Sequence, residues 1–186
     1  MKVLLVYPQC ADTFWSFKYA LKFISKKADL PPLGLLTVAA MLPQEWEKKL
    51  VDMNVTALID EDLEWADYAF IGAMVVHRES VKEIIKRCKQ FNTKIVAGGP
   101  VFTTEHEAFK GVDHFVLNEA EITLPLFLED LEKCCARHIY KSDERPDVRT
   151  TPTPVWSLID MKKYSTMSIQ YSRGCPYDCE FCDIII

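Results

Sequence analysis

The sequence predicts an α/β protein in which helices cover both faces of a five-stranded, doubly wound parallel sheet. Two observations support this prediction. Short apolar segments recur without polar alternation, as is typical of strands buried on both faces. Segments with helical spacing of apolar residues follow most of them, so that helices connect consecutive strands. Such a plan, called flavodoxin-like or Rossmann-like, has the strand order 2-1-3-4-5 and binds ligands beyond the carboxyl ends of its strands.

Five segments are predicted to be strands, because each is rich in aliphatic or β-branched residues and ends at a turn or helix signal. They are Lys2–Tyr7, Lys49–Asp52, Tyr68–Val75, Lys94–Ala97 and His114–Leu117.

Helices are predicted between the strands. Thr13 is a suitable N-cap for a helix over Phe14–Ser25, with Phe14, Phe17, Leu21 and Ile24 on one face. The last helix lies between Glu119 and Lys133, and Pro125 places its regular part from about Leu124 onward. The other predicted helices are Pro32–Leu42, Asp60–Trp65 and Ser80–Phe91.

Composition changes after the last helix and predicts three regions. Residues 1–135 form the α/β domain, and residues 136–165 form a proline-rich, partly charged linker. In the linker, Trp156, Leu158, Ile159 and Met161 are expected to dock on another surface. Residues 166–186 begin a second domain, because Thr166–Tyr171 alternates in the manner of a strand.

The overall composition limits the classes of function. The chain has 186 residues, of which 49% are hydrophobic and 26% charged, and its net charge is −5. This balance argues against a nucleic-acid partner, which would require a basic face. The amino-terminal apolar run is too short for a signal peptide, and no transmembrane segment is predicted. We therefore expect a cytoplasmic protein.

Three of the seven cysteines form a closely spaced group near the end of the chain. Cys175, Cys179 and Cys182 have the spacing C-x-x-x-C-x-x-C. Three thiolates on one loop can bind three irons of a 4Fe–4S cluster and leave the fourth iron open for catalysis. The alternatives are a zinc site completed by a distant histidine and ordinary thiols. The candidate zinc histidines are His106, His114 and His138.

The cysteine loop resembles the radical S-adenosylmethionine (SAM) superfamily, because Phe181 precedes the last cysteine and Arg173-Gly174 precede the first. The resemblance implies that the three cysteines hold a 4Fe–4S cluster, that its free iron binds SAM and that Phe181 lies near the adenine. In that superfamily, reduction of the cluster cleaves SAM to methionine and a 5′-deoxyadenosyl radical. Thr166–Tyr171 would then begin a partial (β/α) barrel. We expect the rest of the barrel to lie outside this chain. The chain alone is therefore expected to have no catalytic activity.

The α/β domain resembles the front domain of radical SAM proteins that bind cobalamin, including a branch with hopanoid C-methylating enzymes. The resemblance lies in Leu30–Leu36, in Ala97–Thr103, in the linker from Pro154 to Tyr164 and in Asn118–Glu121, where asparagine replaces the first glycine of Gly-Glu-Ala-Glu. It implies cobalamin at the sheet edge. Gly98 and Gly99 lack side chains that would keep a corrin away. The candidate cobalamin contacts are Pro8, Gln9, Leu33, Gly34, Met74, Gly98, Gly99, Pro100, Thr103 and Glu119.

The loop after the first strand departs from one cobalamin-binding pattern. Methionine-synthase-like domains have Asp-x-His-x-x-Gly there, and the histidine ligates cobalt. This chain has Pro8–Asp12, without a histidine. We therefore predict cobalamin without a lower histidine ligand. Gln9 and Cys10 are candidates to lie near its lower face, although ordinary loop roles are favoured. For His77 a surface position is favoured over a ligand role.

These resemblances imply a methyltransferase in which methylcobalamin donates its methyl group to a substrate radical. The expected partners are a small-molecule substrate, with lipid-like compounds among the candidates, and an electron donor such as flavodoxin or ferredoxin. Two other functions remain open: a cobalamin-carrying or docking module without activity of its own, and a zinc-stabilised interaction domain.

Overall fold

Six parallel strands form one sheet in the computed structural model, which describes residues 1–13, 16–175, 177 and 180. The strand order is β2-β1-β3-β4-β5-β6, so the predicted order is confirmed and a sixth strand is added beside β5. The strands are β1 Lys2–Tyr7, β2 Glu47–Asp52, β3 Tyr68–Gly72, β4 Lys94–Gly98, β5 His114–Val116 and β6 Ile139–Tyr140.

Helices and short 3₁₀ turns connect the strands. The α-helices are α1 Lys18–Phe23, α2 Leu33–Met41, α3 Asp60–Trp65, α4 Arg78–Gln90, α5 Pro100–Glu105 and α6 Ala120–Glu132. The 3₁₀ turns are Val75–His77, His106–Ala108, Val148–Thr150, Trp156–Leu158 and Met161–Lys163.

The core has two halves because successive residues of a strand point to opposite faces of the sheet. Along β1, Leu4 and Val6 pack with α3, α4 and α5, whereas Val3 and Leu5 pack with α2 and α6. All four side chains are fully buried. The absence of alternation in this segment, on which the fold prediction depends, thus follows from burial on both faces.

The first helix is shorter than predicted. α1 covers Lys18–Phe23, and its N-cap residue Phe17 has φ of 49°, a left-handed conformation that cannot belong to a right-handed helix. Of the described residues on the predicted apolar face, Leu21 is buried, whereas Phe17 and Ile24 are exposed. Phe14 lies outside the described residues.

Two other helices differ from the prediction. α6 begins at Ala120 and contains Pro125. Proline removes one backbone hydrogen bond, but Leu124 and Phe127 are buried in the core and their packing compensates for that loss. α5 was not predicted, because its six residues directly follow Gly98-Gly99 and the sequence Gly-Gly-Pro is typical of a turn.

The region predicted as a linker packs on the α/β domain and contains β6. Phe115 and Leu117 donate backbone hydrogen bonds to the carbonyls of His138 and Tyr140 at 2.7 and 2.9 Å. A two-residue strand is too short to be recognised by pattern. The predicted docking of this region is confirmed for Leu158, which packs against the α2 face of the core.

The predicted strand at Thr166–Tyr171 is wrong for this structure. The segment has no strand conformation, and Met167, Ile169 and Tyr171 are 58, 84 and 97% exposed. A strand is stabilised by backbone hydrogen bonds to a neighbouring strand. Within the described chain, none of the six strands pairs with this segment. None of the described helices has the length and apolar character needed to cross a bilayer.

Candidate functional site

The loops that follow the strands meet at the carboxyl edge of the sheet. Because all six strands are parallel, the segments after β1, β2, β3, β4 and β5 lie side by side there. Most of the predicted contact residues fall in these segments. Leu33 and Gly34 lie instead at the start of α2, which runs back along the sheet from the same edge.

Asn54, after β2, holds the loop after β1. Its Oδ1 accepts a hydrogen bond from the backbone N–H of Cys10 at 2.8 Å, and its Nδ2 donates to the carbonyl oxygen of Pro8 at 3.2 Å. The backbone N–H of Gln9 donates to Ser80 Oγ at 3.0 Å. Pro8 is buried and Gln9 is exposed, so of these two predicted contacts only Gln9 presents its side chain to solvent at the edge.

Asp52, the last residue of β2, is a buried carboxylate and connects the edge to the segment before the cysteine loop. It is 4% exposed. Its Oδ1 accepts hydrogen bonds from the backbone and side-chain nitrogens of Asn54, and its Oδ2 accepts one from the Tyr164 hydroxyl at 3.0 Å. Burial raises the pKa of Asp52, and these hydrogen bonds oppose that rise. Burial and the charge of Asp52 raise the pKa of Tyr164, which therefore remains a donor.

His77 is fully buried, so the expectation of a surface histidine is wrong. Its Nδ1 lies 3.1 Å from the backbone nitrogen of Met74 and accepts that N–H, which places the ring proton on Nε2. Nε2 lies 3.1 Å from Cys10 Sγ and donates to it. Burial lowers the pKa of His77 to about 4, so the ring is neutral at physiological pH. Burial and the charge of Asp52 raise the pKa of the Cys10 thiol.

The two glycines at the end of β4, Gly98 within the strand and Gly99 directly after it, allow close packing of neighbouring backbones. A Cβ on Gly98 would lie 2.8 Å from the Val116 carbonyl oxygen, and one on Gly99 would lie 2.8 Å from that of Ala73. Gly99 also has φ of 100°, which residues with a Cβ rarely adopt. The missing side chains were predicted to admit a ligand; in the structure, the strand ends of the protein itself occupy that space.

An exposed apolar surface lies next to these glycines. Met74, Val75 and Val76 follow β3 and are 43, 39 and 59% exposed. Pro100 is exposed at the start of α5. At the start of α2, Leu33 is half-buried, and Gly34 is exposed with no other group within 4 Å of the position of a Cβ. The edge thus presents apolar side chains and open backbone to a ligand.

Asn118 explains the departure from Gly-Glu-Ala-Glu. Its φ is 61°, a left-handed conformation that glycine and asparagine tolerate better than other residues. Its backbone N–H donates to Thr103 Oγ1 at 3.0 Å, and its Nδ2 donates to the carbonyl oxygen of Ser142 at 2.6 Å. Its Oδ1 is buried and accepts no hydrogen bond in the described structure. Thr103, a predicted contact, therefore also supports this turn.

Glu119, another predicted contact, forms an ion pair with Arg173. Glu119 Oε2 lies 2.5 Å from Nη1 of Arg173, and Glu121 Oε1 lies 2.5 Å from Nη2. Thr151 Oγ1 also donates to Glu121 at 2.8 Å. Burial raises the pKa of Glu121, but the hydrogen bonds from Arg173 and Thr151 outweigh this and lower it below its ordinary value.

The cysteine loop is described only in part. Cys175 is half-buried, whereas Cys179, Phe181 and Cys182 lie outside the described residues. No group of three histidine, cysteine or acidic residues within the described chain is placed to hold a metal ion.

The histidines considered for a zinc site lie toward the opposite edge of the sheet from Cys175. His114 begins β5 and His138 directly precedes β6, so both lie at the amino edge. Their Nδ1 atoms lie 2.6 and 2.8 Å from the carbonyl oxygens of Arg137 and Asp113. His106 and His138 line a cavity of about 330 Å³. Within the described residues, the structure therefore does not bring these histidines to Cys175.

Sequence reasoning missed four residues that organise the edge: Asp52, Asn54, Tyr164 and the side chain of Arg173. A polar residue ending an apolar strand was a usable signal for Asp52. Asn54 also bonds the nearby Asp52, but its partners Pro8 and Cys10 are more than forty residues away. The partners Asp52 of Tyr164 and Glu119 and Glu121 of Arg173 are also distant in sequence, so no local pattern could indicate these contacts.

Comparisons with known proteins agree with the predicted resemblance. A family model described as the B12 binding domain matches residues 23–128. The chain is 46% identical to an uncharacterized methyltransferase of Synechocystis sp., over 100% of this chain and 35% of the relative. It is 31% identical to the hopanoid C-2 methylase of Rhodopseudomonas palustris, over 98% of this chain and 36% of the relative.

A more distant relative is the bacteriochlorophyllide d C-8(2)-methyltransferase of Chlorobaculum tepidum. It is 26% identical, over 81% of this chain and 34% of the relative. The chain thus spans about a third of the length of these three relatives. The predicted likeness to hopanoid-methylating enzymes is confirmed.

Proposed function

The chain belongs to the family of B12-binding domains, and on this premise we propose that it is the cobalamin-binding part of a longer radical SAM methyltransferase. The observation that carries the proposal is the carboxyl edge of the sheet, where open backbone, apolar side chains and an unpaired buried acceptor lie together. The cysteine spacing adds the second cofactor.

The residues at the edge suit a large, flat ligand with amide groups on its rim. Met74, Val75 and Val76 offer apolar contact, and Gly34 leaves the start of α2 open. Asn118 Oδ1 has no hydrogen-bond partner among the described residues, and an amide N–H of the ligand would satisfy it. Bound cobalamin would supply a transferable methyl group at this edge.

His77 does not serve as a lower ligand to cobalt in this proposal. Both ring nitrogens are engaged, one by the Met74 N–H and the other by Cys10. The ring is also completely enclosed by protein. We therefore retain the prediction of cobalamin without a histidine ligand.

The cysteine loop would hold the second cofactor through the thiolates of Cys175, Cys179 and Cys182. A 4Fe–4S cluster held by these thiolates would supply the electron for SAM cleavage, and by the family resemblance Phe181 would lie near the adenine. We assign the reaction class as C-methylation of a small molecule, with lipid-like compounds among the candidates because of the hopanoid C-2 methylase relative. A flavodoxin or ferredoxin would supply electrons in the cytoplasm.

Metal analysis after anaerobic reconstitution with iron and sulfide tests the cluster. We expect a brown protein that loses its iron in Cys175→Ala and Cys179→Ala. Cys134→Ala is the matched control, because Cys134 is an exposed thiol outside the loop, and it should retain its iron. One zinc per chain without iron would instead support the zinc-stabilised domain and contradict the proposal.

Titration with hydroxocobalamin, followed by absorbance, tests the edge. Gly34→Leu places a side chain in open space and should weaken binding at least about tenfold. Lys86→Leu, an exposed change on α4, is the control and should bind like the unaltered chain. Equal binding by both variants would contradict the assigned site. Cobalamin binding without any iron would support a carrier module in place of the enzyme.

Electron paramagnetic resonance of the bound cob(II)alamin tests the lower-ligand prediction. We expect no splitting from an axial nitrogen, and the same spectrum in His77→Gln. A nitrogen splitting that disappears in His77→Gln would show that the histidine is a ligand.

A further inference from the structure

Arg173 lies in an irregular segment, yet its side chain is only 20% exposed. Its guanidinium contacts Glu119 and Glu121 at 2.5 Å each, and its Nε donates to Gln170 at 2.9 Å. The two carboxylates precede Arg173 by 54 and 52 residues. These contacts therefore join the segment before the cysteine loop to the α/β domain.

The geometry distinguishes these contacts from an ordinary surface ion pair. Glu121 is 11% exposed and is held by a second hydrogen bond from Thr151. A planar guanidinium that contacts two fixed carboxylates through different nitrogens is more restrictive than a single exposed pair. By contrast, Arg149 pairs with Asp147 two residues away, and both side chains are exposed.

The rest of the segment has few other anchors. Thr166 is held by the backbone of Asp29, but Met167, Ile169 and Tyr171 are largely exposed. Among the contacts of the described residues, the ion pairs of Arg173 are therefore the anchor nearest to the first cysteine. Because an extended chain spans about 3.3–3.6 Å per residue, the Cα atom of Cys175 lies within about 7 Å of that of Arg173.

Glu119 directly precedes α6, in the short segment that follows the carboxyl end of β5. We propose that Arg173 is a positioning residue that, through Glu119 and Glu121, holds the start of the cysteine loop against the cobalamin-binding edge of the sheet. The inference rests on the proposed function. It adds that the start of the cysteine loop docks on the Glu-Ala-Glu sequence at Glu119–Glu121.

Limited proteolysis of the 186-residue chain tests the docking without any cofactor. In Arg173→Gln, we expect chymotrypsin to cleave after the exposed Tyr171 at least about fivefold faster, because the ion pairs no longer restrain this segment. Arg149→Gln is the matched control and should leave the rate of this cleavage unchanged. An unchanged rate in Arg173→Gln would overturn the inference.

A charge exchange separates docking from a general loss of structure. The double variant Arg173→Glu with Glu121→Arg should recover part of the protection lost in Arg173→Glu alone. Arg173→Lys should protect less than arginine, because one ammonium group does not span both carboxylates. Protection that is equally poor in Arg173→Glu and in the double variant would count against specific pairing.

A spectroscopic measurement on the full-length protein, loaded with iron, sulfide and hydroxocobalamin, tests the consequence. After reduction, magnetic coupling between the cluster and cob(II)alamin should report one narrow distance in the unaltered protein and a broadened one in Arg173→Gln. Iron and cobalamin contents are measured first, and their absence from the unaltered protein would refute the proposed function. If both proteins contain full amounts of iron and cobalamin and show the same magnetic coupling, the role of Arg173 is refuted while the proposed function stands.

Discussion

Replacing Tyr164 by phenylalanine tests whether the buried carboxylate of Asp52 anchors the segment after the 3₁₀ turn at Met161–Lys163. Tyr164 is 3% exposed and Asp52 4% exposed. Both hydrogen bonds from Asn54 reach Oδ1 of Asp52, and the tyrosine hydroxyl reaches Oδ2. Tyr164→Phe therefore removes the donor to Oδ2 while retaining the aromatic ring and its packing.

The expected cost at pH 7 is about 1.5–3 kcal/mol, the usual contribution of a buried hydrogen bond to a charged group. In an Asp52→Asn background, the same change should cost only about 1 kcal/mol, because the amide forms a neutral hydrogen bond. Urea unfolding of the four proteins gives both values and their coupling.

The pH dependence provides an independent check. Burial raises the pKa of Asp52 above its ordinary value of 3.8, so the stability that this group contributes is present below that value and is lost as pH rises through the folded-state pKa. Loss of the hydrogen bond from Tyr164 should raise that pKa further. The deficit of Tyr164→Phe should therefore be largest at neutral pH and should shrink at acidic pH. A deficit below about 0.5 kcal/mol at pH 7, or one that is equal at pH 4 and pH 7, would refute this reasoning.

Three further predictions concern the same edge of the sheet. Gly99→Ala should lower the free energy of unfolding by about 2–4 kcal/mol, because the position has φ of 100° and adjoins the Ala73 carbonyl. Gly34→Ala, where the added methyl group enters open space, should not lower the midpoint of urea unfolding. Asn118→Ala should be about 1 kcal/mol less stable in urea than Asn118→Gly, because only alanine is penalised at φ of 61°. The His77 ring should titrate near pH 4 by NMR. Its contribution of about 3 kcal/mol to the free energy of unfolding should be lost as pH falls from the ordinary pKa of 6.5 through 4. A measured pKa near 6.5 would contradict the burial of the ring.

The fold was largely predictable because its signals are local and repeated. Unbroken apolar segments such as Lys2–Tyr7 indicated strands buried on both faces, and the helix predicted for Ser80–Phe91 corresponds to α4, in which Val81, Ile84, Ile85 and Cys88 are buried. The helix predicted for Phe14–Ser25 was less successful. Apolar spacing alone did not reveal the left-handed conformation of Phe17.

The candidate site was predictable in its position but not in its internal contacts. The rule that ligands lie beyond the carboxyl ends of parallel strands pointed to the loops that meet at this edge. It did not show that His77 turns inward, where the Met74 N–H and Cys10 Sγ satisfy both ring nitrogens. Nor did it show that Gly98 and Gly99 serve the packing of neighbouring strands.

The parallel α/β architecture and the spacing of the three cysteines could be inferred from the sequence alone, because each is encoded in residues close together along the chain, and the order of the first five strands followed from the known plan of such sheets. The bonds of Tyr164 to Asp52 and of Arg173 to Glu119 and Glu121 became known only from the folded structure. Those partners are more than fifty residues apart and become neighbours only when the core forms. The largely buried carboxylates of Asp52 and Glu121 require such partners, since a buried polar group must find a partner within the protein.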